Sequence, residues 1–336
     1  MRYQIPIICG PTASGKSALA LQISNYIIEA QNQQNDSYFD PYQNKSCKKK
    51  YEDFPNILNI KLNSGFKELK VIINAAISLG LIPAIVNIDA YQVYEDITLC
   101  SACPTQEEMG FVEHRMFGYV KYWENYGVGR YLHDLKTTLE SLISSKKLPI
   151  ITGGTSMYIY ALKNGLTEIP LVSFKTRDLA NKTMTEMGAG QFYLILKTLF
   201  PNLDVHPNDT RRLLRVYEVW IEHKQYMFDS AYIKKNTVKL DFDFLLCKII
   251  PERSEVYAKS DAKILDMVYK QDAIQEVKKL LDHWDNCKTI KEALLVKELH
   301  LYLAGQLTLE DAVSLAQKNT RNFVKRQYTW LKNKLV

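Results

Sequence analysis

Residues 4 to 23, "QIPIICGPTASGKSALALQI", limit the possible folds more than any other stretch. A six-residue apolar run meets glycine, a loop of small residues follows, and Lys-Ser opens an amphipathic pattern. Gly10, Gly15, Lys16 and Ser17 fit the spacing G-x-x-x-x-G-K-[ST], the phosphate-binding loop. Such a loop turns backbone N–H groups inward around phosphate oxygens. Lys16 adds a point charge, the Ser17 hydroxyl is a ligand for Mg²⁺, and the next helix supplies its positive dipole end. The motif requires a strand before it and a helix after it, which predicts an α/β fold. It specifies oligophosphate without specifying the carrier.

Three more apolar runs, "LIPAIVNID", "LPIITGG" and "FDFLLCKII", join "QIPIICG" as expected buried strands. Each is short, aliphatic and without alternation, as in a parallel sheet covered on both faces. Helical patterns fall at 17–30, 67–79, 130–146 and 208–224. Residues 31–66 are polar and Asn/Gln/Lys-rich, and read as a surface excursion. Residues 166–207 read as short helices with polar breaks, a helical lobe inserted into the core. The expected division is 1–165 for the first part of the core, 166–207 for the lobe, and 208–336 for core completion and a long basic C-terminal helix. Thr308 with Asp311 makes a capping box for that helix.

With 336 residues, the chain is long enough for one large α/β core and a second lobe. No apolar run approaches the ~18 residues of a membrane span. The chain enters its first strand at once, so no targeting peptide is expected. Net charge +6 is mild and does not by itself argue for nucleic acid. The six cysteines, at 9, 47, 100, 103, 247 and 287, suggest no disulfide framework, so a reducing, cytoplasmic setting is expected. Cys100 and Cys103 lack the second ligand pair of a zinc site and read as two loop thiols or a redox pair.

Polar residues at the strand ends have two readings each. Asp89 either caps the following turn or serves the phosphate site, as a general base or through Mg²⁺. Thr155 is an N-cap, or with its helix N-terminus a second polar site at the same sheet edge. Arg211 and Arg215 share one helix face. Lys318, Arg321, Lys325 and Lys332 form a basic stripe opposite Phe323, Val324, Tyr328 and Leu331, either solvated or tracking a phosphate backbone.

In order along the chain, "GPTASGKS", "DAYQVY", "PTQEE", "PIITGGTSMYIYALKNGL", "HPNDTRRLLRVYEV" and "TRNFVKRQYTWLKN" resemble the tRNA isopentenyltransferase (dimethylallyltransferase) family. The resemblance covers nearly the whole chain, and the last two stretches are far more specific than the phosphate loop. It implies a P-loop NTPase-like parallel sheet flanked by helices. It also implies transfer of the dimethylallyl group of dimethylallyl diphosphate to N6 of the adenosine 3′ of the anticodon in tRNA. By matching positions, Asp89 would take the N6 proton and Thr155 would stabilise the bridging oxygen. Gly10, Thr12, Ala13, Ser14, Gly15, Lys16, Ser17 and Lys263 would hold diphosphate, with Mg²⁺ on Ser17. Gln92, Arg211, Arg215, Lys318, Arg321 and Lys325 would meet the anticodon stem-loop, the target base being flipped from its stack. A monomer with no membrane contact is expected.

The chain also departs from that pattern. Ala90 stands for the family's serine and Cys103 for its lysine. Lys263 replaces an arginine, keeping the charge and losing the bidentate fork. Leu295-Val296 replaces Gly-Tyr. Lys16 and Asp89 lie further apart than in the family, an excess that matches the 31–66 excursion. Two rivals remain at this stage. A P-loop kinase would bind ATP and leave the basic helix unexplained. A decayed tRNA-binding homologue would have lost the transfer step.

Overall fold

The computed structural model describes residues 4–36, 64–224 and 230–334. The four apolar runs are strands: β1 (Gln4–Cys9), β2 (Ile82–Asn87), β4 (Lys147–Gly153) and β7 (Asp243–Lys248). With β3 (Glu113–Arg115) they form one sheet in the order β3-β2-β4-β1-β7, every pair parallel. β1 lies between β4 and β7, and Ile5, Ile7 and Ile8 are fully buried. The sequence reading missed β3, whose Glu-His-Arg has no apolar signature. It is an edge strand tied by ion pairs from Glu113 to Lys147 and Arg115.

Helices Lys16–Asp36 and Phe66–Ser78 cover one face. Leu19, Ile23 and Ile27 of the first and Leu69, Ile73 and Ile77 of the second pack with Ile8, Ile85 and Ile150 of the sheet. Residues of opposite parity, Ile7, Val86 and Ile151, point to the other face and are also buried. Helix Val128–Ser144 buries Leu135 and Leu139, and its Tyr131 stacks on Tyr158 at 4.2 Å.

The phosphate-loop helix is longer than expected. It continues through residues 31–36, which the sequence reading assigned to the polar excursion. Gln31 explains the difference. Its Nε2 donates to the Ala76 and Leu81 carbonyls, so a polar residue ties this helix to its neighbour. Of the rest of the excursion, 37–63 lies outside the described residues, and its last residue, Phe66, begins the second helix.

The chain divides into two compact units, Met1–Lys163 with Leu240–Val336, and Asn164–Lys239. The second unit holds helices Phe174–Met187, Ala189–Leu199, Thr210–His223 and Ser230–Asn236. Its own core joins Phe192, Leu196, Leu203 and Val205 to Leu213 and Val216. The expected boundary at 207 therefore falls inside this unit. Helix Thr210–His223 belongs to the lobe because its apolar face completes the lobe's core. Two short strands, β5 (Leu166–Thr167) and β6 (Thr237–Val238), pair antiparallel, so the chain enters and leaves this unit side by side. Among the described residues no helix is long and apolar enough to cross a membrane.

Candidate active site

Parallel strands deliver their C-terminal ends to one edge, and ligands bind where the strand order reverses. Here β1 leads into the phosphate loop, and β2 and β4 lead to Asp89 and Thr155. The register pairs Cys9 with Gly153 and Asn87 with Thr152, which brings the three loops together.

The loop is shaped by local sterics. A Cβ on Gly10 would sit 2.6 Å from the Ile249 carbonyl oxygen, so only glycine leaves room. Ala13 and Gly15 have φ of 59° and 87°, the left-handed conformations from which anion-binding loops are built. The Ser14 hydroxyl is buried without a hydrogen-bond partner. Such a group costs about 1–3 kcal/mol when unsatisfied, and a phosphate oxygen would satisfy it. Lys16 donates from Nζ to the Pro11 carbonyl at 3.0 Å. Burial of the ammonium pulls its pKa down to about 8; the Asp89 carboxylate opposes that shift and the Lys263 charge adds to it. Ser17 is exposed at the helix start. Thr12 and Gly15 are half-buried beside it.

Asp89 is held by its neighbours. Its N–H donates to Asn87 Oδ1 at 2.8 Å, and its own Oδ1 accepts from the Tyr91 N–H at 3.0 Å. Asn87 is anchored in turn, donating to the Asp89 and Met116 carbonyls. Thr155 Oγ1 accepts the Ala90 N–H at 2.9 Å. That bond fixes the hydroxyl and leaves its proton to donate elsewhere. Together these groups make an anion cradle with a carboxylate and an oriented O–H beside it.

The loop after Asp89 is closed by a carboxylate the sequence reading did not single out. Glu276 accepts from the Leu99 and Cys100 N–H groups at 2.8 and 2.7 Å. Gln92 donates to the Ser101 and Ala102 carbonyls, and Cys103 Sγ donates to the Gln92 carbonyl. The Gln92 amide is therefore engaged within its own loop. Cys100 and Cys103 are free thiols, the Cys103 pKa pushed up to about 12 by burial, and neither is a ready thiolate. Lys263, on helix Arg253–Tyr269, is exposed, and its charge acts on Lys16 and Cys103.

The expected RNA contacts separate into two groups. Arg211, Lys318 and Lys325 are exposed. Arg215 instead binds Glu218 at 2.9 Å and the Pro170 carbonyl, and Arg321 binds Asp261 at 2.6 Å. Lys318, Arg321 and Lys325 lie on the C-terminal helix Leu309–Asn333, with Val324, Tyr328 and Leu331 buried behind them and Phe323 half-buried. The same helix carries Gln327, which reaches the phosphate loop. It accepts the Thr12 N–H and donates to the Gly154 carbonyl, both at 2.9 Å. Only its place in "KRQYTW" could have drawn attention to it. Among the described residues no three His, Cys, Asp or Glu side chains gather as a metal set.

A family model described as IPP transferase matches residues 92–334. Its match begins beyond the phosphate loop and Asp89. The chain is 37% identical over 257 residues to the tRNA dimethylallyltransferase of Ehrlichia canis (strain Jake), covering 74% of this chain and 83% of that protein. It is 33% identical over 258 residues to the tRNA dimethylallyltransferase of Rickettsia felis, covering 75% and 82%. Among solved structures, a eukaryotic dimethylallyltransferase acting on tRNA matches with a TM-score of 0.67 and 22% identity over 98% of this chain and 70% of that one. A tRNA delta(2)-isopentenylpyrophosphate transferase from Staphylococcus epidermidis matches with a TM-score of 0.57 and 22% identity, covering 99% and 91%. At that identity the structural likeness concerns the fold.

Proposed function

The chain belongs to the IPP transferase family, and from that premise we propose how its site works. The reaction is tRNA prenylation: a dimethylallyl group moves from its diphosphate to tRNA. The acceptor is N6 of the adenosine 3′ of the anticodon. The observation that carries the reading is the convergence of Lys16, Asp89 and Thr155 on the ends of three adjacent strands.

The loop from Gly10 to Ser17 holds the diphosphate. Its N–H groups and the Ser14 hydroxyl meet phosphate oxygens, and Lys16 and Lys263 offset the charge that grows as the leaving group departs. The Thr155 O–H, aimed by the Ala90 amide, donates to the bridging oxygen as the C–O bond breaks. Asp89 takes the N6 proton as the new N–C bond forms, and diphosphate leaves. Mg²⁺ belongs to the same proposal. The exposed Ser17 hydroxyl at the start of the helix suits a metal that takes few protein ligands and several from phosphate. It would supply charge neutralisation on the leaving group. The RNA meets the protein at its anticodon stem-loop, through exposed cations such as Arg211, Lys318 and Lys325. Action in the cytoplasm, as a monomer, completes the proposal, and the free thiols at Cys9, Cys100, Cys103, Cys247 and Cys287 support a reducing compartment.

The test mixes the protein with Mg²⁺, labelled dimethylallyl diphosphate and tRNA, with ATP in a parallel reaction. Label in the RNA is the expected result. Release of ADP from ATP without label transfer would favour a kinase instead.

A further inference from the structure

Gln327 is 3% exposed, yet both ends of its amide are used on backbone groups that border the site. Oε1 accepts from Thr12 in the phosphate loop, and Nε2 donates to the Gly154 carbonyl at the end of β4, next to Thr155. The approach is close. A Cβ on Gly154 would stand 2.6 Å from Gln327 Nε2 and 2.9 Å from the Gly10 carbonyl oxygen. Val324, about one turn before Gln327, and Tyr328, the next residue, pack with Val256, and Ala13 of the phosphate loop lies against that cluster. Packing thus fixes the helix, and Gln327 adds a polar tie from it to the loop's Thr12 amide. Its demands are chemically narrow: one acceptor toward Thr12 and one donor toward Gly154.

We propose that Gln327 is the positioning residue of the phosphate site. It holds the loop that cradles diphosphate in register with the β4 turn that carries Thr155. The proposal rests on the reading of that loop as a diphosphate site. Gln327 touches neither substrate. It acts by pinning Thr12, so that the remaining N–H groups and the Ser14 hydroxyl point at one place before ligand arrives.

Two variants separate this role from plain structural support. Gln327→Met keeps the volume and removes both hydrogen bonds. Gln327→Glu keeps the acceptor but, while ionised, cannot donate to Gly154; protonated, it can do both again. Pyrophosphate affinity by calorimetry, KM for dimethylallyl diphosphate, KM for tRNA, melting behaviour and hydrogen exchange at the Thr12 amide are measured. Loss of buried hydrogen bonds predicts about tenfold weaker pyrophosphate binding in Gln327→Met, with KM for dimethylallyl diphosphate rising in step. KM for tRNA stays within about twofold, as for a lesion confined to one site. Exchange at Thr12 becomes faster. The Gln327→Glu defect, taken as a ratio to wild type, shrinks as pH falls and its carboxyl protonates. Unchanged pyrophosphate affinity in a folded Gln327→Met protein overturns the proposal, and so does a pH-independent defect in Gln327→Glu. If Gln327→Met does not fold, the pH profile of Gln327→Glu decides. If wild-type protein binds no pyrophosphate and transfers no prenyl group, the reading of the site fails. Exchange at Thr12 then still judges Gln327: faster in Gln327→Met supports it, unchanged overturns it.

Discussion

Lys16 is a cation held where water cannot fully solvate it, which gives it a testable pH signature. Its pKa is pulled down to about 8 by burial, so near pH 8 half of the ligand-free protein lacks this charge. The charged form is the one that binds an anion. KM for dimethylallyl diphosphate should therefore be flat below about pH 7 and rise above pH 8, approaching tenfold per unit. Lys16→Arg, which stays charged, should bind more weakly overall because its planar fork does not fit a point-charge site, yet show little of that pH dependence. Steady-state kinetics between pH 6 and 9.5 check both. Asp89 gives a sharper test. Its backbone and Oδ1 bonds survive in Asp89→Asn, so tRNA affinity should be kept while kcat falls about 10²–10⁴-fold, the usual contribution of a general base. A kcat within twofold of wild type would remove Asp89 from that role. Leu295 is unusual in another way. It is 2% exposed with φ of 70°, at a position where the family resemblance implies glycine. Alanine there keeps the left-handed strain and glycine relieves it, at about 1–2 kcal/mol per residue. Leu295→Gly should then be more stable than Leu295→Ala by about 1 kcal/mol in urea melts, the reverse of their usual order.

Among the elements, the C-terminal helix combines an apolar face, a basic face and the buried Gln327. Lys318 and Lys325 are exposed, whereas Arg321 is held by Asp261. Lys318→Glu with Lys325→Glu should weaken binding across different tRNAs. It should also flatten the slope of log K against log salt by about one unit per lost phosphate contact. Pyrophosphate binding should not change. An unchanged slope in a folded variant would return these lysines to ordinary surface. This helix was also among the most legible elements in the sequence. Its 3.6-residue pattern is long and Thr308 caps it by accepting the Asp311 N–H, although the Asp311 carboxylate accepts from the Thr308 hydroxyl and not from its backbone as the expected capping box requires. The buried strands were legible because a strand covered on both faces is an unbroken aliphatic run. β3 was not, since three polar residues at a sheet edge carry no such signal. The phosphate loop was readable because its geometry is written locally, in glycines at fixed spacing. The bond from Ala90 to Thr155, the Glu276 clamp and the Gln327 bridge span 65, 176 and 315 positions. They exist only after the sheet brings those segments together, so no local pattern announces them.

Across the whole molecule, every proposed diphosphate ligand lies in the unit formed by Met1–Lys163 and Leu240–Val336. The Asn164–Lys239 unit has its own core, and β5 pairs with β6 at its neck, as Leu166 with Val238. Replacing 167–237 with a short Gly/Ser linker should therefore leave a folded core that binds pyrophosphate within a few-fold of the intact protein, since linking chain ends that already lie close is cheap. Loss of tRNA affinity in that variant would assign RNA contacts such as Arg211 to the lobe. Failure to bind pyrophosphate would show that the lobe is needed to shape the loop. The bridge from Thr12 to Gln327 has a further consequence in time. A ribosome makes the phosphate loop near the start and Gln327 near the end, 315 positions later. At ~5–20 residues per second, that interval is roughly 16–63 s. Through all of it the nascent chain carries a loop without its latch. A chain released before Gln327 is added would be a poor competitor for prenyl diphosphate, whatever else of it has folded.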